Sequence, residues 1–367
     1  MRDGVDDDIV LAALAALADR IPPLTVWGAQ ETAFPWKTAG QPAAIVSRMR
    51  RGRGCTRPWG PVAAESGAKR MHTVGIVLHP LRDSAEAVTA IVDWAAVRGA
   101  QVLGVDEEIR RLRCAALPVP AAELGRRSDL IVSLGGDGTM LRAMRLADGG
   151  HAPVLGVNLG RLGFLAEVDV PDLPDALSAI DQHLYTVEPR LAVDAEVHGE
   201  TVSAFNDVAV VRVPGHGSAA VALRVGGRPF VSYAADAVVV ATPTGSTAYS
   251  FSAGGPIVSP SVEALLVTPA APHSAFNRGL VLSVHDALAL DVLPASGRLA
   301  VEVDGRVSGY VEPGACVILH PRPAAAHVVR LGRTTFYERA QRKLRLMGSA
   351  EVEPTPTWPR DGRPTPS

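Results

Sequence analysis

Cysteine is scarce in this chain: Cys55, Cys114 and Cys316 are the only three in 367 residues. They are too few and too widely spaced for a disulfide framework or a clustered zinc site, and a reducing, cytoplasmic compartment is expected. Charge of one sign is lacking as well, since 36 Lys and Arg stand against 38 Asp and Glu for a formal net charge of -2. That balance removes the electrostatic ground for a nucleic acid or an anionic membrane as partner. The basic run RMRRGRG at Arg48 to Gly54 is short and glycine-containing, and reads as solvated linker. Nor does any segment reach the roughly 18 uninterrupted apolar residues of a membrane span. The stretch IVLAALAALA at Ile9 to Ala18 falls short and follows Asp6, Asp7 and Asp8, where a signal peptide carries positive charge, so a water-soluble protein is expected. A GxxxxGK[ST] phosphate loop is also missing, as is a convincing strand-linked GxGxxG with a downstream acid, which takes support from hydride transfer on a Rossmann domain.

What the chain does have is apolar material, 47% of its residues, enough for a substantial core and two domains at this length. Residues 1 to 70 are broken by Pro22, Pro23, Pro35, Pro42, Pro58 and Pro61 and read as an N-terminal extension, partly helical or disordered, with Met71 a natural start. From Met71 strands alternate with helices: MHTVGIVLHP, a capped helix in DSAEAVTAIVDWAAVRG, QVLGV, SDLIVSLGG, a helix in TMLRAMRLAD, PVLGVNLG and a helix in DLPDALSAID. This predicts an α/β domain with a parallel sheet over 71–184, residues 106 to 128 forming a looser stretch. Over 185–325 the pattern becomes short apolar runs between turn residues, from LAVDAEVHG to ACVILHP, which predicts a larger all-β domain. Residues 326–347 end in an amphipathic helix, TTFYERAQRKLRLM, and 348–367 read as a disordered tail.

Two glycine clusters carry the chemistry. GGDGT at Gly135 to Thr139 lies between a strand and a helix, where open α/β folds bind ligands. Gly135, Gly136 and Gly138, with Thr139, let backbone N–H groups approach phosphate at a helix N-terminus. Asp137 would repel a phosphate, so it suits a proton acceptor or a magnesium contact; Arg142, one turn on, suits charge neutralisation. The same five residues also describe a plain strand-to-helix turn with Asp137 as N-cap. The second cluster, ATPTGSTAYSFSAGGP at Ala241 to Pro256, sets seven hydroxyl side chains and three glycines after an apolar strand. Its uncharged donors and acceptors, with the flat face of Tyr249, suit a nucleoside.

Between them lie GVNLGRLGFLAE, where Phe164 either walls a base or fills the core, and FNDV, where Asn206 and Asp207 interrupt a strand pattern. Asp236 starts the strand that feeds the second cluster. His79, His273 and His285 have no partner pattern, and Asp304 in VDGR reads as a hairpin-turn residue.

In chain order, GGDGT, NLGRLGFLAE, FNDV and ATPTGSTAYSFSAGGP resemble the NAD kinases over about Met71 to Met347. The resemblance implies a two-domain fold, the chain end returning to the first domain, and transfer of a phosphoryl group from ATP or inorganic polyphosphate, with Mg2+, to the 2′-hydroxyl of the adenosine ribose of NAD, giving NADP. It implies that Asp137 is the proton acceptor, that Gly138 and Arg142 lie near the dinucleotide, and that Asn206 and Asp207 contact NAD. By the same resemblance Asp236 contacts a ribose, while Thr247, Ala248, Tyr249, Ser250, Phe251 and Ser252 line the adenosine site. A homodimer or homotetramer is implied too. The chain departs from the family at Asp236-Ala237, where Asp-Gly is common, and at HPLRD, where a lysine-containing loop is usual and Arg82 stands instead. GGDGT also occurs in diacylglycerol and sphingosine kinases, but the wording of the second cluster separates the chain from them. A non-catalytic nucleotide sensor would have no use for a carboxylate beside phosphates.

Overall fold

A computed structural model describes residues 71–346 except 161–162 and 274–275. The expected N-terminal extension and the tail over 348–367 lie outside the described residues.

The first domain is built on parallel strands: β1 (Thr73–Leu78), β2 (Gln101–Val105), β3 (Leu117–Val119), β4 (Leu130–Gly135) and β5 (Val154–Asn158), in the order β3-β2-β1-β4-β5, with the short β6 (Val168–Asp169) beside β5. Helices α1 (Ala85–Arg98), α2 (Asp106–Leu112), α3 (Ala121–Arg127), α4 (Asp137–Ala147) and α5 (Leu173–Asp181) connect them. The pleat explains the layering. Val74, Ile76 and Leu78 pack with Val88 and Ile91 of α1 and Leu177 of α5, whereas Val77 and Ile131 pack with Leu124 of α3 and Met140 and Met144 of α4. Both faces are buried, so every residue of β4 is inaccessible.

The second domain holds the remaining strands: β7 (Thr186–Val197), β8 (Glu200–Ala204), β9 (Asp207–Arg212), β10 (Ala219–Val225), β11 (Arg228–Ala235), β12 (Ala237–Ala241), β13 (Ala264–Ala270), β14 (Leu280–Ser283), β15 (Leu288–Val292), β16 (Leu299–Val303), β17 (Arg306–Val311) and β18 (Cys316–Arg330). One antiparallel sheet runs β14-β13-β12-β9-β16-β17. It packs on β7, β10, β15 and β18 through a Val- and Leu-rich core including Val210, Val240, Val221 and Leu290. The 15-residue β18 joins the domains: it pairs antiparallel with β15 and along β7, shifts register between Arg322 and Ala326, and then pairs parallel with β5 through Val328 and Val154. Two short helical segments, the 3-10 turn Thr244–Thr247 and α6 (Tyr249–Ser252), follow β12, and α7 (Phe336–Leu344) closes the described chain.

The structure differs from expectation mainly at weakly patterned segments. The looser stretch folds into α2, β3 and α3, and β11, β13 and β17 join the sheets. β11 and β17 lie at sheet edges; β17 is mostly exposed, and β11 turns only Tyr233 and Ala235 fully into the core, too short an apolar pattern to mark a strand. β13 is buried throughout, but Pro269 within it masks its strand character.

Candidate active site

The last residue of β4 leads into GGDGT at the carboxyl edge of the parallel sheet, and α4 begins at Asp137 itself, two residues before the expected Thr139. A side chain built at Gly136 or Gly138 would meet nothing within 4 Å, so the space over the first turn of α4 is open. Asp137 does not cap its helix. Its Oδ2 accepts the Phe164 N–H at 3.0 Å and the Lys343 ammonium at 2.9 Å, and its Oδ1 accepts the Leu165 N–H at 3.0 Å. Gly163 is required for this arrangement, because a Cβ there would strike the carboxylate. The Phe164 ring is buried, with the Lys343 Nζ 4.3 Å from its centroid.

Arg142 ion-pairs with the buried Glu108, whose other oxygen accepts the Leu78 N–H at 2.8 Å. Arg142 is therefore fixed near the end of β1. Arg82 lies beside Gly160 in the adjoining loop, where a Cβ on that glycine would come 2.8 Å from its guanidinium.

Asn206 and Asp207 sit where the FNDV segment enters β9, and an unanticipated residue sets their geometry. Asp304, in the left-handed conformation (φ 47°) of the β16–β17 hairpin, has a side chain only 1% exposed. It ion-pairs with Arg145 of α4 and accepts the N–H groups of Phe205, Asn206 and Asp207 at 3.3, 2.7 and 3.3 Å. One carboxylate thus ties the helix that starts at Asp137 to the FNDV backbone. Asp207 is itself buried, and that burial, followed by the nearby Asp304 and Glu302 charges, pushes its carboxyl up to about 7 against a hydrogen bond from the Tyr249 backbone.

The hydroxyls of the second cluster divide into two sets. Thr242 donates to the Phe205 carbonyl at 2.5 Å, Ser246 brackets Val258 at 3.1 and 3.0 Å, and Ser250 bonds Thr268 at 2.9 Å; all three are buried and shape the loop. Thr247 and Tyr249 are half-buried and Ser252 is exposed, beside the half-buried Ala248 and Phe251, and the buried Thr244 lines a crevice with Thr247, so these positions face open space. A Cβ at Gly245 would strike the Asn206 carbonyl, so this glycine lets the cluster close onto FNDV. Burial raises the Tyr249 hydroxyl, helped by Glu302, Asp207 and Asp236. Asp236 is half-exposed and paired with Arg212. Its neighbour Ala237 is fully buried on β12, where Val239 and Ala241 form the small apolar cluster that Tyr249 packs against.

A small crevice lined by Phe164, Leu165, Thr244 and Thr247 brings the loop that holds Asp137 against the second cluster. The structure thereby unites GGDGT, the Phe164 loop, FNDV and the hydroxyl cluster, while Asp236 stands at the far end of β12 from Ala241. Sequence reasoning missed Glu108, Asp304 and Lys343. The first lies in the stretch without pattern, the second reads as a turn, and only the charged face of α7 hinted at the third.

The model of the ATP-NAD kinase N-terminal domain matches residues 74–185, and that of the ATP-NAD kinase C-terminal domain matches residues 205–331. A protein of Streptomyces avermitilis named NAD kinase 1 is 37% identical over 334 residues, covering 79% of this chain and 93% of that protein. Yeast NADH kinase, solved with NADH, superposes with a TM-score of 0.66 at 26% identity, covering 79% of this chain and 91% of its own. An NAD kinase from Archaeoglobus fulgidus in complex with ATP gives a TM-score of 0.60 at 26% identity, over 75% of this chain and 100% of its own.

Proposed function

The chain belongs to the ATP-NAD kinase family, and from that premise we propose that it transfers the terminal phosphoryl group of ATP, or of inorganic polyphosphate, to the 2′-hydroxyl of the adenosine ribose of NAD. The observation that carries this reading is the placement of Asp137: a carboxylate held by Phe164, Leu165 and Lys343 at the open glycine turn, beside the crevice that reaches the hydroxyl cluster.

In this reading the adenosine lies on Thr247, Ala248, Tyr249, Phe251 and Ser252, with Asn206 and Asp207 on the dinucleotide and Phe164 under the Asp137 loop; Asp236, at the far end of β12, is not assigned to this ligand. The donor phosphates lie over Gly135, Gly136, Gly138 and Thr139, where N–H groups and the helix N-terminus favour negative charge. Arg142, fixed by Glu108, adds positive charge nearby. The divalent ion would come with the donor, as a magnesium complex of ATP or polyphosphate, where it would neutralise charge on the transferred group. The 2′-oxygen attacks the terminal phosphorus, the bond to the bridging oxygen breaks with its electrons leaving on the shortened donor, and the hydroxyl proton passes to Asp137. Positioning and charge neutralisation supply most of the acceleration in such a step.

Asp137→Asn removes the proton acceptor while leaving a side chain of similar size. NADP formation should fall by about 10²- to 10⁴-fold with NAD affinity retained. Turnover near the wild-type rate would refute the role of Asp137, and parallel assays with ATP and polyphosphate identify the donor.

A further inference from the structure

Behind the Asp137 loop lies a cavity of about 500 Å3, within the range of small-molecule sites, which shares Arg190, Pro260, Arg330 and Phe336 with the crevice beside the hydroxyl cluster. Three arginines from three separate segments line it: Arg190 of β7, Arg330 at the end of β18 and Arg339 of α7, only 2%, 6% and 3% exposed. Guanidinium groups remain protonated even at such depth. Two buried or half-buried carboxylates answer them. Glu188 pairs with Arg190 at 2.6 Å and Arg330 at 3.0 Å, and Glu167 lies 3.8 Å from Arg330 while accepting the Leu331 and Arg333 N–H groups. Within the buried cluster three cations face these two anions, Glu263 of the lining being exposed to solvent. Two donors are left over: Nε of Arg190 and Nε of Arg339 are buried and have no hydrogen-bond partner among the described residues. The mutual repulsion shows in Arg190 and Arg339, both lowered by burial first and by Arg330 second.

A buried N–H without a partner costs roughly 1–3 kcal/mol, more when the group is charged. An oxyanion in the cavity would face guanidinium groups from three separate segments, the pairing that gives strong charge-assisted hydrogen bonds. The rest of the lining is largely apolar, from Pro189, Leu191, Pro260, Val262 and Phe336, with Glu263 exposed at the rim. We propose that this cavity binds a small organic anion, with its phosphate or carboxylate head on Arg190 and Arg339 and its apolar body against Pro260, Val262 and Phe336. The site adjoins the catalytic loop. Arg330 donates to the Leu165 carbonyl at 2.8 Å, the Leu165 N–H holds Asp137, and Arg339 precedes Lys343 by one helical turn.

The test is calorimetric titration of the full chain with phenyl phosphate and benzoate, with neutral benzyl alcohol as control. Val262→Glu places a negative charge at a partly exposed wall position and leaves the buried arginines in place, so it tests the site even if Arg339→Gln fails to fold. Both anions should bind and the alcohol should not, and Val262→Glu and a folded Arg339→Gln should each weaken the anions at least about tenfold. Gly136→Asp, which puts a carboxylate in the open glycine turn, should leave anion binding unchanged. Absence of binding at millimolar concentration would overturn the proposal. So would loss in Gly136→Asp with retention in Val262→Glu, which would move the anion to the glycine turn. Neither result bears on Asp137→Asn, so this site and the kinase reading fail separately.

Discussion

Asp207 illustrates how much a single position depends on its surroundings. Its carboxyl is raised to about 7, whereas an unfolded chain titrates it near 3.8, so between those values the native state holds a proton that the unfolded state has released. The stability that Asp207 contributes is therefore present at acid pH and declines as pH rises toward 7. Unfolding of wild type and Asp207→Asn by urea from pH 5 to 8 should show the variant gaining relative stability with pH; parallel curves would mean that Asp207 does not titrate there. Under the proposed function the ionised form accepts ribose hydroxyls, so KM for NAD should rise as pH falls below about 7, and Asp207→Asn should raise KM and flatten that dependence. Asp304 is the second case. It was legible as a hairpin residue and does occupy the β16–β17 turn, but its clasp on Arg145 and three backbone N–H groups arises from the pairing of β16 with β9, which no local pattern reveals. Removing one partner of a buried pair costs about 3–5 kcal/mol, so Asp304→Ala should lower unfolding free energy by about that much. A loss below 1 kcal/mol would show that the clasp is not a structural tie.

At the scale of elements, legibility followed burial except at β13, where Pro269 interrupts a fully buried strand. The buried strands β1, β4, β5 and β12 and the helices α1 and α4 stand out in sequence because both or one of their faces must be apolar. The edge strands β11 and β17 do not, since solvent accepts any polar residue on them. The α7 helix was visible from its amphipathic pattern, and its start is fixed by a capping box in which Thr335 and Glu338 satisfy each other's backbone N–H. Its destination was not visible, because nothing local says that Lys343 reaches Asp137 across 206 residues of chain. Lys343 both bonds the carboxylate and covers Phe164, so it orients the group that the proposed reaction depends on. Lys343→Gln should lower kcat roughly tenfold, the worth of one charge-assisted hydrogen bond, with KM for NAD nearly unchanged. A rise in KM at constant kcat would instead make Lys343 a binding residue.

Across the whole molecule, the two domains share a strand. β18 begins in the β domain beside β15 and ends in the parallel sheet, with Val328 fully buried against Val154, and the chain then continues into α7. The site inherits this continuity: Asp137 comes from the first domain, FNDV and the hydroxyl cluster from the second, and Lys343 from the segment beyond the shared strand. Opening either domain would pull β18 from a buried sheet, so the two should unfold as one unit. Native-state hydrogen exchange in rising denaturant should show amides of β4 and of β12 converging on the same opening free energy. Val328→Pro should break the tie, because proline in a central strand removes a ladder donor. In that variant the two sets of amides should separate, the α/β domain opening first because it loses its link through β5 while the β domain keeps the long pairing of β18 with β7. Separate transitions already present in wild type would show that the shared strand does not couple the domains, and the union of the Asp137 carboxylate and the hydroxyl cluster would then rest on side-chain ties such as Asp304 with Arg145 and Arg322 with Asp148 and Asp194.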